Sequence, residues 1–442
     1  MKGITGDVLP YLAQMMDRYS NASLIPVRLT NVGRPMYLIL HPAHIKAVLT
    51  TPEVYGRILD LPITRTMERA LGRSTVTAPT LEWRPLRKRT LRYFGREQLR
   101  HYGSVVVDVL EKRALPVFER AASQGSSVDL FDEMLNIGSL AAFMSFLGDG
   151  IDDPPREVYR ALNELFCYVR RNGFALLLPP LWIPTAQNRQ LLQHRKLVHD
   201  YLRTKLAASR DKETVLGDTI RAHTGPDGVP KVKKILEEIT SNLVGGSETT
   251  IVLMNWAVYY LIKNPEVEAN LVQEIVSTLG ERSPTVDDLR QMPHLMGVVS
   301  ETLRLRSPAY LSGRAVLADT ELGGYAIPKG AAVMFSQYIT HRHPQIWKNP
   351  EAFVPERFAS DSPEAPMNRR SEVTFFPFGG GETICVGSNF AINETALMLA
   401  VLLRRFQFQF ADPAAVATLG IDSRVTMRPN KPIRLLVRRR DH

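Results

Sequence analysis

The sequence predicts one mainly α-helical domain with small β-sheets, extending over residues 1–442. Most of the chain carries apolar residues at helical spacing. Short runs rich in β-branched and aromatic residues predict only brief strands. The chain contains no internal repeat, low-complexity tract or linker, so we expect a single domain. Proline and glycine clusters interrupt the helical pattern at Pro154-Pro155, from Pro179 to Pro184, and from Gly225 to Pro230.

The predicted elements follow in chain order. Pro26 to Leu40 predicts a hairpin with its turn at Asn31-Val32-Gly33. Asn264-Pro265 and Pro308 each end a helical run, because proline cannot continue a helix. The other elements are helices from Lys231 to Lys263 and from His294 to Arg306, and strands at Arg314 to Val316, Ala331 to Phe335 and Ile433 to Val437.

The first polar motif is Trp83-Arg84-Pro85-Leu86-Arg87. Trp83 and Arg87 are four residues apart, so an indole N–H and a guanidinium can point the same way. The alternative is an exposed basic helix, which fits the neighbouring Lys88, Arg89 and Arg92 better than it fits Arg87.

The second motif, Gly245-Gly246-Ser247-Glu248-Thr249-Thr250, lies inside the long predicted helix. A glycine in a helix costs roughly 1 kcal/mol against alanine, which is tolerated where another body lies against the bare backbone. The Thr249 hydroxyl can bond to the Gly245 carbonyl and bend the helix. This predicts a groove with an acid, Glu248, and an alcohol, Thr249, beside it. The alternative is a close helix–helix crossing.

A third motif surrounds Cys385, in Phe378-Gly379-Gly380-Gly381-Glu382-Thr383-Ile384-Cys385-Val386-Gly387. Glycines let the backbone approach another body closely. A helical run begins near Asn389, and a thiolate just before a helix is stabilised by the free N–H groups there. Phe375, Phe376 and Phe378 keep water out. The loop predicts a sulfur ligand for a large flat cofactor; the alternative is a glycine-rich loop around a buried cysteine.

These motifs resemble the cytochrome P-450 family. The likeness covers nearly the whole chain from about residue 25 and implies that family's fold, with the long central helix over the heme. It implies heme b as the cofactor, with Cys385 as the axial ligand of its iron. The residues that match the family's heme-binding loop are Phe378, Gly379, Gly381, Cys385, Gly387, Phe390 and Ala391.

The resemblance assigns roles to the glycine motif of the long helix. It implies that O2 binds beside Gly245 and Gly246, and that Glu248 and Thr249 relay protons to it. It also implies a buried ion network behind the heme. Glu301 and Arg304 share a helix face, and Phe353 to Phe358 resembles the family's segment that supplies a second arginine, here Arg357. Without the resemblance, Glu301 and Arg304 form an ordinary surface pair.

The resemblance implies that Trp83, Arg87 and Arg314 bind the heme propionates, since an arginine fork matches a carboxylate. One position departs from the family, which usually places Arg or His two residues before the sulfur ligand. This chain has Thr383 there, and a threonine hydroxyl carries no charge. We expect the other three donors to compensate.

The function implied is that of a heme-thiolate monooxygenase, which inserts one oxygen atom from O2 into a lipophilic molecule such as a terpenoid or a fatty chain. The expected substrate-facing segments are Ala309 to Leu311, Ala175 to Trp182 and Thr418 to Val425. Two alternatives are a peroxide-driven peroxygenase and a non-catalytic heme-binding sensor. Peroxide use does not require the Glu248-Thr249 relay, which argues against the first.

No fused flavin domain follows the heme segment, so electrons are expected from a separate ferredoxin or flavodoxin. The net charge of +10 favours an acidic partner. Lys88, Arg92 and Arg96 form one stripe, and Arg369 and Arg370 precede the cysteine loop. Nucleic-acid binding is disfavoured because the charge is scattered and no binding motif accompanies it. A metal site at His341-Arg342-His343 lacks further ligands.

The composition supports a large monomeric protein of a reducing compartment. Hydrophobic residues make up 44% of the chain, enough for a large core, and only two cysteines occur. Cys167 is interpreted as a core side chain. No apolar run reaches the roughly 18 residues that cross a bilayer, and no signal peptide is present. We therefore expect a cytoplasmic bacterial protein without a membrane anchor.

Overall fold

The computed structural model describes residues 8–19, 22–27, 34–148, 153–175, 177–366 and 373–440. Within these ranges the chain is mainly helical with small sheets, as predicted. The helices are α1 (Leu9–Arg18), α2 (Pro42–Thr50), α3 (Pro62–Leu71), α4 (Thr80–Leu91), α5 (Arg96–Val109), α6 (Leu115–Gln124), α7 (Leu130–Leu147), α8 (Arg156–Asn172), α9 (Ala186–Ser209), α10 (Val215–Ala222), α11 (Val232–Lys263), α12 (Pro265–Leu279), α13 (Pro293–Leu305), α14 (Gln337–Thr340), α15 (Ser388–Arg405) and α16 (Pro413–Ala417).

The strands are short and lie mostly between the helices. They are β1 (Leu24–Val27), β2 (Met36–Ile39), β3 (Tyr55–Gly56), β4 (Ser127–Asp129), β5 (Ser312–Val316), β6 (Thr320–Leu322), β7 (Tyr325–Ile327), β8 (Ala332–Phe335), β9 (Phe406–Phe410), β10 (Ile421–Asp422), β11 (Arg428–Pro429) and β12 (Arg434–Arg439). The largest described sheet has the order β1-β2-β8-β5-β3, in which only β2 and β8 are parallel. The others are β4-β12-β9, β10-β11 and β6-β7.

The predicted elements agree closely with those observed. Strands β1 and β2 pair antiparallel, with Leu24 opposite Ile39, which confirms the hairpin. Its predicted turn at 31–33 lies outside the described residues. Helices α11 and α13 occupy the two predicted helical runs within one residue at each end. Helices α2, α3, α12 and α13 begin with proline, whose missing N–H has no partner in the first turn of a helix.

The core is built around α11, which has 32 residues and is buried along most of its length. One hydrophobic cluster joins it to buried side chains of α5, α7, α13 and α15. Among the described helices, α7 is long and apolar enough to cross a membrane by length and composition alone. It is 72% buried inside the protein, as expected of a core helix. Asp132 and Glu133 interrupt its apolar run in the sequence.

Candidate active site

A cavity of about 430 Å³ lies between α4, α11, β5 and the segment that precedes α15. It gathers residues that are far apart in the sequence. The predicted site residues that line it are Trp83, Arg87, Gly245, Gly246, Thr249, Arg314, Phe378, Gly379, Thr383, Cys385 and Gly387. The structure therefore brings most of the expected heme-binding residues to one place.

The glycines of the cysteine loop make its turns possible. Gly379 and Gly381 have φ values of 73° and 64°, in the left-handed region that favours glycine. A Cβ atom on Gly381 would lie 2.0 Å from the Leu49 carbonyl oxygen, so no side chain fits there. Gly381 is not part of the cavity wall and acts through the turn. The loop closes with a 3.0 Å hydrogen bond from the Cys385 N–H to the Phe378 carbonyl.

Cys385 lies three residues before α15, with its side chain exposed on the cavity wall. The protein around the cavity keeps bulk water away from Cys385, and this desolvation raises the pKa of its thiol. The Gly387 N–H, which donates to the sulfur, and the charge of Arg87 both lower that pKa in part. These two groups stabilise a thiolate, which is the form that ligates a metal.

The glycine motif of α11 divides into an open and a packed position. A Cβ atom on Gly245 would meet nothing within 4 Å, so the bare backbone there borders the cavity. A Cβ atom on Gly246 would come within 3.0 Å of the Phe146 ring of α7, as the helix-crossing alternative requires. The Thr249 hydroxyl donates to the Gly245 carbonyl at 2.9 Å, and Thr249 lines the cavity. Both glycines thus border the cavity, and the helix-crossing alternative applies in addition to Gly246.

Glu248 lies elsewhere than expected. It is 2% exposed and is not among the residues that line the cavity, so acid and alcohol do not border one groove. Its Oε1 accepts a 3.0 Å hydrogen bond from the Thr426 hydroxyl, and its Oε2 has no partner among the described residues. Burial raises the pKa of Glu248 to about 7, against the opposing effects of Thr426, Arg428 and Arg170.

Basic side chains border the cavity on the side of α4 and β5. Arg87 of α4 lies 5.5 Å from the Trp83 ring centre. Arg314 of β5 donates to the Gly380 carbonyl at 3.3 Å and to the Thr383 hydroxyl. Burial lowers the pKa of Arg314 to about 10. Arg57 also lines the cavity, and it was not predicted because it belongs to no recognisable motif.

The ion network lies outside the cavity lining, at the end of α13. The Nε atom of Arg304 is 2.6 Å from Glu301 Oε2, and the Nε atom of Arg357 is 3.3 Å from Glu301 Oε1. Arg304 Nη1 also donates to the carbonyls of His341 and Pro350, both at 2.7 Å. The three predicted residues meet, and backbone acceptors satisfy further N–H groups of the buried guanidinium.

His341 is a core residue that holds a backbone segment in place. It is fully buried, and its Nε2 accepts the Phe376 N–H at 3.0 Å. Burial and the charges of Arg304 and Arg342 lower its pKa well below the ordinary value, so the ring is neutral. In the part of the chain that the structure describes, no group of three or more His, Cys, Asp or Glu side chains is placed to hold a metal ion.

The expected substrate-facing segments are only partly in place. Ala309 lines the cavity, but Tyr310 is buried and donates its hydroxyl to the Ser423 carbonyl. Leu177 and Trp182 are 91% and 81% exposed, at the molecular surface. In the other two expected segments, 175–182 and 418–425, none of the described residues lines this cavity, and residue 176 lies outside the described residues. Their packing against the rest of the chain was not visible in local sequence.

The basic stripe lies beside the cysteine loop. Lys88 and Arg92 border a shallow surface groove that also includes Gly381 and Glu382. Arg92 is 3.1 Å from Asp218, so part of its charge is neutralised. Arg96 lies farther along and is 3.9 Å from an aspartate on another segment. Residues 369 and 370, expected on the same face, lie outside the described residues.

The fold and the cavity define a class of protein. It is an α-helical protein in which a cysteine, the bare backbone of a long helix and several arginines border one cavity. The family model described as Cytochrome P-450 matches residues 13–437. The chain therefore belongs to the cytochrome P-450 family, and it is an oxidoreductase of that family's monooxygenase type.

Similar proteins support the assignment. Cyclooctat-9-en-7-ol 5-monooxygenase of Streptomyces melanosporofaciens is 29% identical over 84% of this chain and 80% of the relative. Cyclooctatin synthase of the same organism is 28% identical over 88% and 84%. The crystal structure of the cytochrome P450DA heme domain superposes with a TM-score of 0.79, at 22% identity, over 98% of this chain and 92% of that domain. This structural likeness shows the fold.

Proposed function

We propose that residues 1–442 form a single heme-thiolate domain that binds heme b through Cys385 and inserts one oxygen atom from O2 into a lipophilic small molecule. One observation carries the proposal. Cys385 lies on the cavity wall just before α15, and the open backbone at Gly245 borders the same cavity. A sulfur atom and a helix segment without side chains leave room for a flat group between them.

The residues present fit this cofactor. Heme is flat and carries two carboxylates, and the cavity offers arginines for the carboxylates and a cysteine for the iron. When bound, heme supplies the activation of O2. The chain's own part is to hold the sulfur as a thiolate, to bind the propionates through the Trp83 N–H and the charges of Arg87 and Arg314, and to position the substrate.

Proton delivery is assigned to Thr249 and Glu248. Thr249 places a hydroxyl on the cavity wall, where it would hold a proton donor for the activation of O2 that heme would supply. The pKa of Glu248, raised to about 7, lets this acid take up and release protons near neutral pH. Because the Glu248 side chain is buried outside the cavity lining and accepts a hydrogen bond from Thr426, a water molecule or a rotation of that side chain must link it to Thr249.

The substrate is proposed to be lipophilic, with a terpenoid preferred over a fatty chain. Much of the cavity wall away from the cysteine loop is apolar. One relative is named for its action on cyclooctat-9-en-7-ol, a cyclic alcohol with little polar surface. The apolar side chains that support this are Val76, Phe94, Phe146, Val215 and Leu253.

Electrons are proposed to come from a separate ferredoxin or flavodoxin. Lys88 and Arg92 border the surface groove beside the cysteine loop, so an acidic protein docked there comes close to Cys385. Positive charge at this face speeds the encounter with an acidic partner. Both cysteines are free thiols, which supports a reducing compartment such as the bacterial cytoplasm.

Replacing Cys385 by serine tests the cofactor assignment. We expect Cys385→Ser to lose the thiolate band in the carbon monoxide difference spectrum and to lose essentially all turnover, because an alcohol does not ionise to replace a thiolate. The matched control is Cys167→Ser, since that thiol is outside the cavity lining and burial raises its pKa. A thiolate band that persists in Cys385→Ser contradicts the assignment.

Turnover conditions separate the proposed monooxygenase from its two alternatives. The monooxygenase forms oxygenated product with O2 and an electron donor. A peroxygenase forms it only when peroxide is supplied, and a sensor forms none under either condition. Each assay uses the same heme-loaded protein and the same terpenoid substrates, so a missing product in one assay alone is informative.

A further inference from the structure

Arg57 lies in the cavity wall, and among the described residues it has no acidic partner. It follows β3 directly, and its guanidinium lies 4.8 Å from the Trp83 ring centre. Its Nη1 donates to the Ala78 carbonyl at 2.6 Å, and its Nη2 donates to the carbonyls of Thr75 and Val76 at 3.0 and 2.7 Å. All three acceptors are neutral. A guanidinium has five N–H donors, so two remain without an acceptor among the described residues.

The surrounding charges call for an anion. Burial, together with repulsion from Arg314 and Arg87, lowers the pKa of Arg57 to about 10. In the described residues no carboxylate lies within ion-pair distance of these three arginines. The carboxylate whose charge acts on Arg87 is that of Glu382. This carboxylate pairs with Arg84 at 3.5 Å on the surface. Like charges gathered in a partly buried site are stable only when a counter-charge is bound.

The hydroxyl of Thr383 is already engaged. It accepts a hydrogen bond from Nη2 of Arg314, and it lies 3.4 Å from the Gly380 carbonyl, to which it donates. Thr383 therefore orients Arg314 and contributes no positive charge at the position where the family usually has Arg or His. The missing charge has to come from another segment if the cavity holds two carboxylates.

We propose that Arg57 supplies this charge and binds a heme propionate together with Arg87 and Arg314. The inference rests on the proposed function, because the anion is a group of the heme. Three features support it together: Arg57 lines the cavity, its hydrogen-bond acceptors are all neutral carbonyls, and the two arginines assigned to the propionates are near enough to repel it. The alternative is that Arg57 only pins the segment 75–78 against the cavity.

The first experiment compares Arg57→Gln and Arg57→Lys with the native holoenzyme. The rate of heme transfer to an excess of apomyoglobin is measured for each. We expect Arg57→Gln to lose heme roughly tenfold faster, the lower end for a hydrogen bond between charged groups. Arg57→Lys keeps the positive charge and should therefore lose heme at a rate close to the native one. A lysine cannot span the three carbonyls, so this variant removes the pinning contacts and leaves the charge. Equal loss from both variants indicates pinning and overturns the proposal.

The second experiment is a rescue. Thr383→Arg, added to Arg57→Gln, restores a cation at the family's usual position, and we expect it to recover most of the native heme retention. The heme reduction potential should fall in Arg57→Gln and rise again in the double variant, because a nearby cation favours the more negative reduced state. A packing defect at 75–78 is not repaired from position 383, so an unrescued double variant overturns the proposal.

Controls separate this inference from the proposed function. Thermal unfolding of the heme-free proteins shows whether Arg57→Gln folds. If it does not fold, the result for Arg57→Lys decides: native-like heme retention supports the proposal, and rapid heme loss contradicts it. If the native protein itself binds no heme with a thiolate band, the proposed function fails. If the native protein binds heme and Arg57→Gln retains it equally well, only the role of Arg57 is wrong.

Discussion

The residues of the glycine motif in α11 divide the work between packing and chemistry. Gly246 packs against Phe146, so its small size is needed for helix contact. Gly245 leaves the backbone open at the cavity, and the Thr249 hydroxyl is held 2.9 Å from its carbonyl. A hydroxyl fixed in this way has its oxygen lone pairs free to accept a hydrogen bond from a water molecule in the cavity.

Replacing Thr249 tests this role. We expect Thr249→Ala to consume O2 and reductant but to form peroxide, with product per electron pair falling by as much as roughly 100-fold, the scale of a positioned proton donor. Thr249→Ser keeps the hydroxyl and is the matched control. Product, peroxide and consumed reductant are measured together. Tight coupling in Thr249→Ala contradicts the role and assigns it to Thr250 or to water.

Among the elements, the packing of α7, α11 and α15 contains a buried acid that the sequence did not reveal. Glu394 of α15 is 1% exposed, and neither of its oxygens has a hydrogen bond of normal geometry to a described residue. Burial raises its pKa to about 8, against a weak opposing contact with Thr250. A Cβ atom on Gly138 of α7 would lie 3.9 Å from its Oε1. The acid is therefore protonated at neutral pH.

The raised pKa of Glu394 predicts a pH-dependent stability. The folded protein keeps this proton up to about pH 8, whereas an unfolded chain loses it near the ordinary value of 4.5. The stability that the protonated Glu394 contributes to the folded protein is fully present below pH 4.5. It is lost as the pH rises through about 8. Burial of Glu248 adds a change of the same sign that ends near pH 7.

Chemical unfolding across this pH range checks the prediction. Relative to the native protein, Glu394→Gln should unfold with a similar free energy near the acid end and with a larger one above about pH 8, because glutamine is neutral throughout. Glu97→Gln, at an exposed position of α5, is the control and should show no such trend. A constant difference between native protein and Glu394→Gln would mean that Glu394 titrates normally.

For the molecule as a whole, the position of positive charge matters more than its total. The chain has a net charge of +10, but many arginines are paired with acids within the fold. Arg92 is partly neutralised by Asp218, and Arg84 lies 3.5 Å from Glu382. Lys88 is exposed beside the cysteine loop, where a docked electron donor would meet it.

Charge reversal at Lys88 tests the docking face. With an acidic ferredoxin, we expect Lys88→Glu to slow heme reduction by roughly tenfold at low salt, since steering of this kind changes association rates by about 10- to 1000-fold. The difference in reduction rate should shrink as the salt concentration rises, because the Debye screening length falls to about 8 Å at 0.15 M. Lys196→Glu, on exposed α9, is the control. Equal rates for the two variants would move the docking face elsewhere.

Local patterns were sufficient for much of this molecule. Prolines and glycines end helices through the conformation of their own backbone, so the limits of α11 and α13 were predicted within one residue. The loop around Cys385 was recognisable because its glycines and its cysteine are close together in the chain. The contact between Glu301 and Arg304 follows from one helix turn and needs no other segment.

Contacts between distant segments account for what remained hidden. Arg57 has no motif of its own, and only the pairing of β3 with β5 and the contact of Arg57 with Trp83 of α4 bring it near Arg87 and Arg314. Glu394 looks like an ordinary helix acid in the sequence, and neither its burial nor that of Glu248, which raises both pKa values, can be read from local pattern. Burial and charge pairing depend on neighbours that come from elsewhere in the chain, and local sequence carries no record of which neighbours these are.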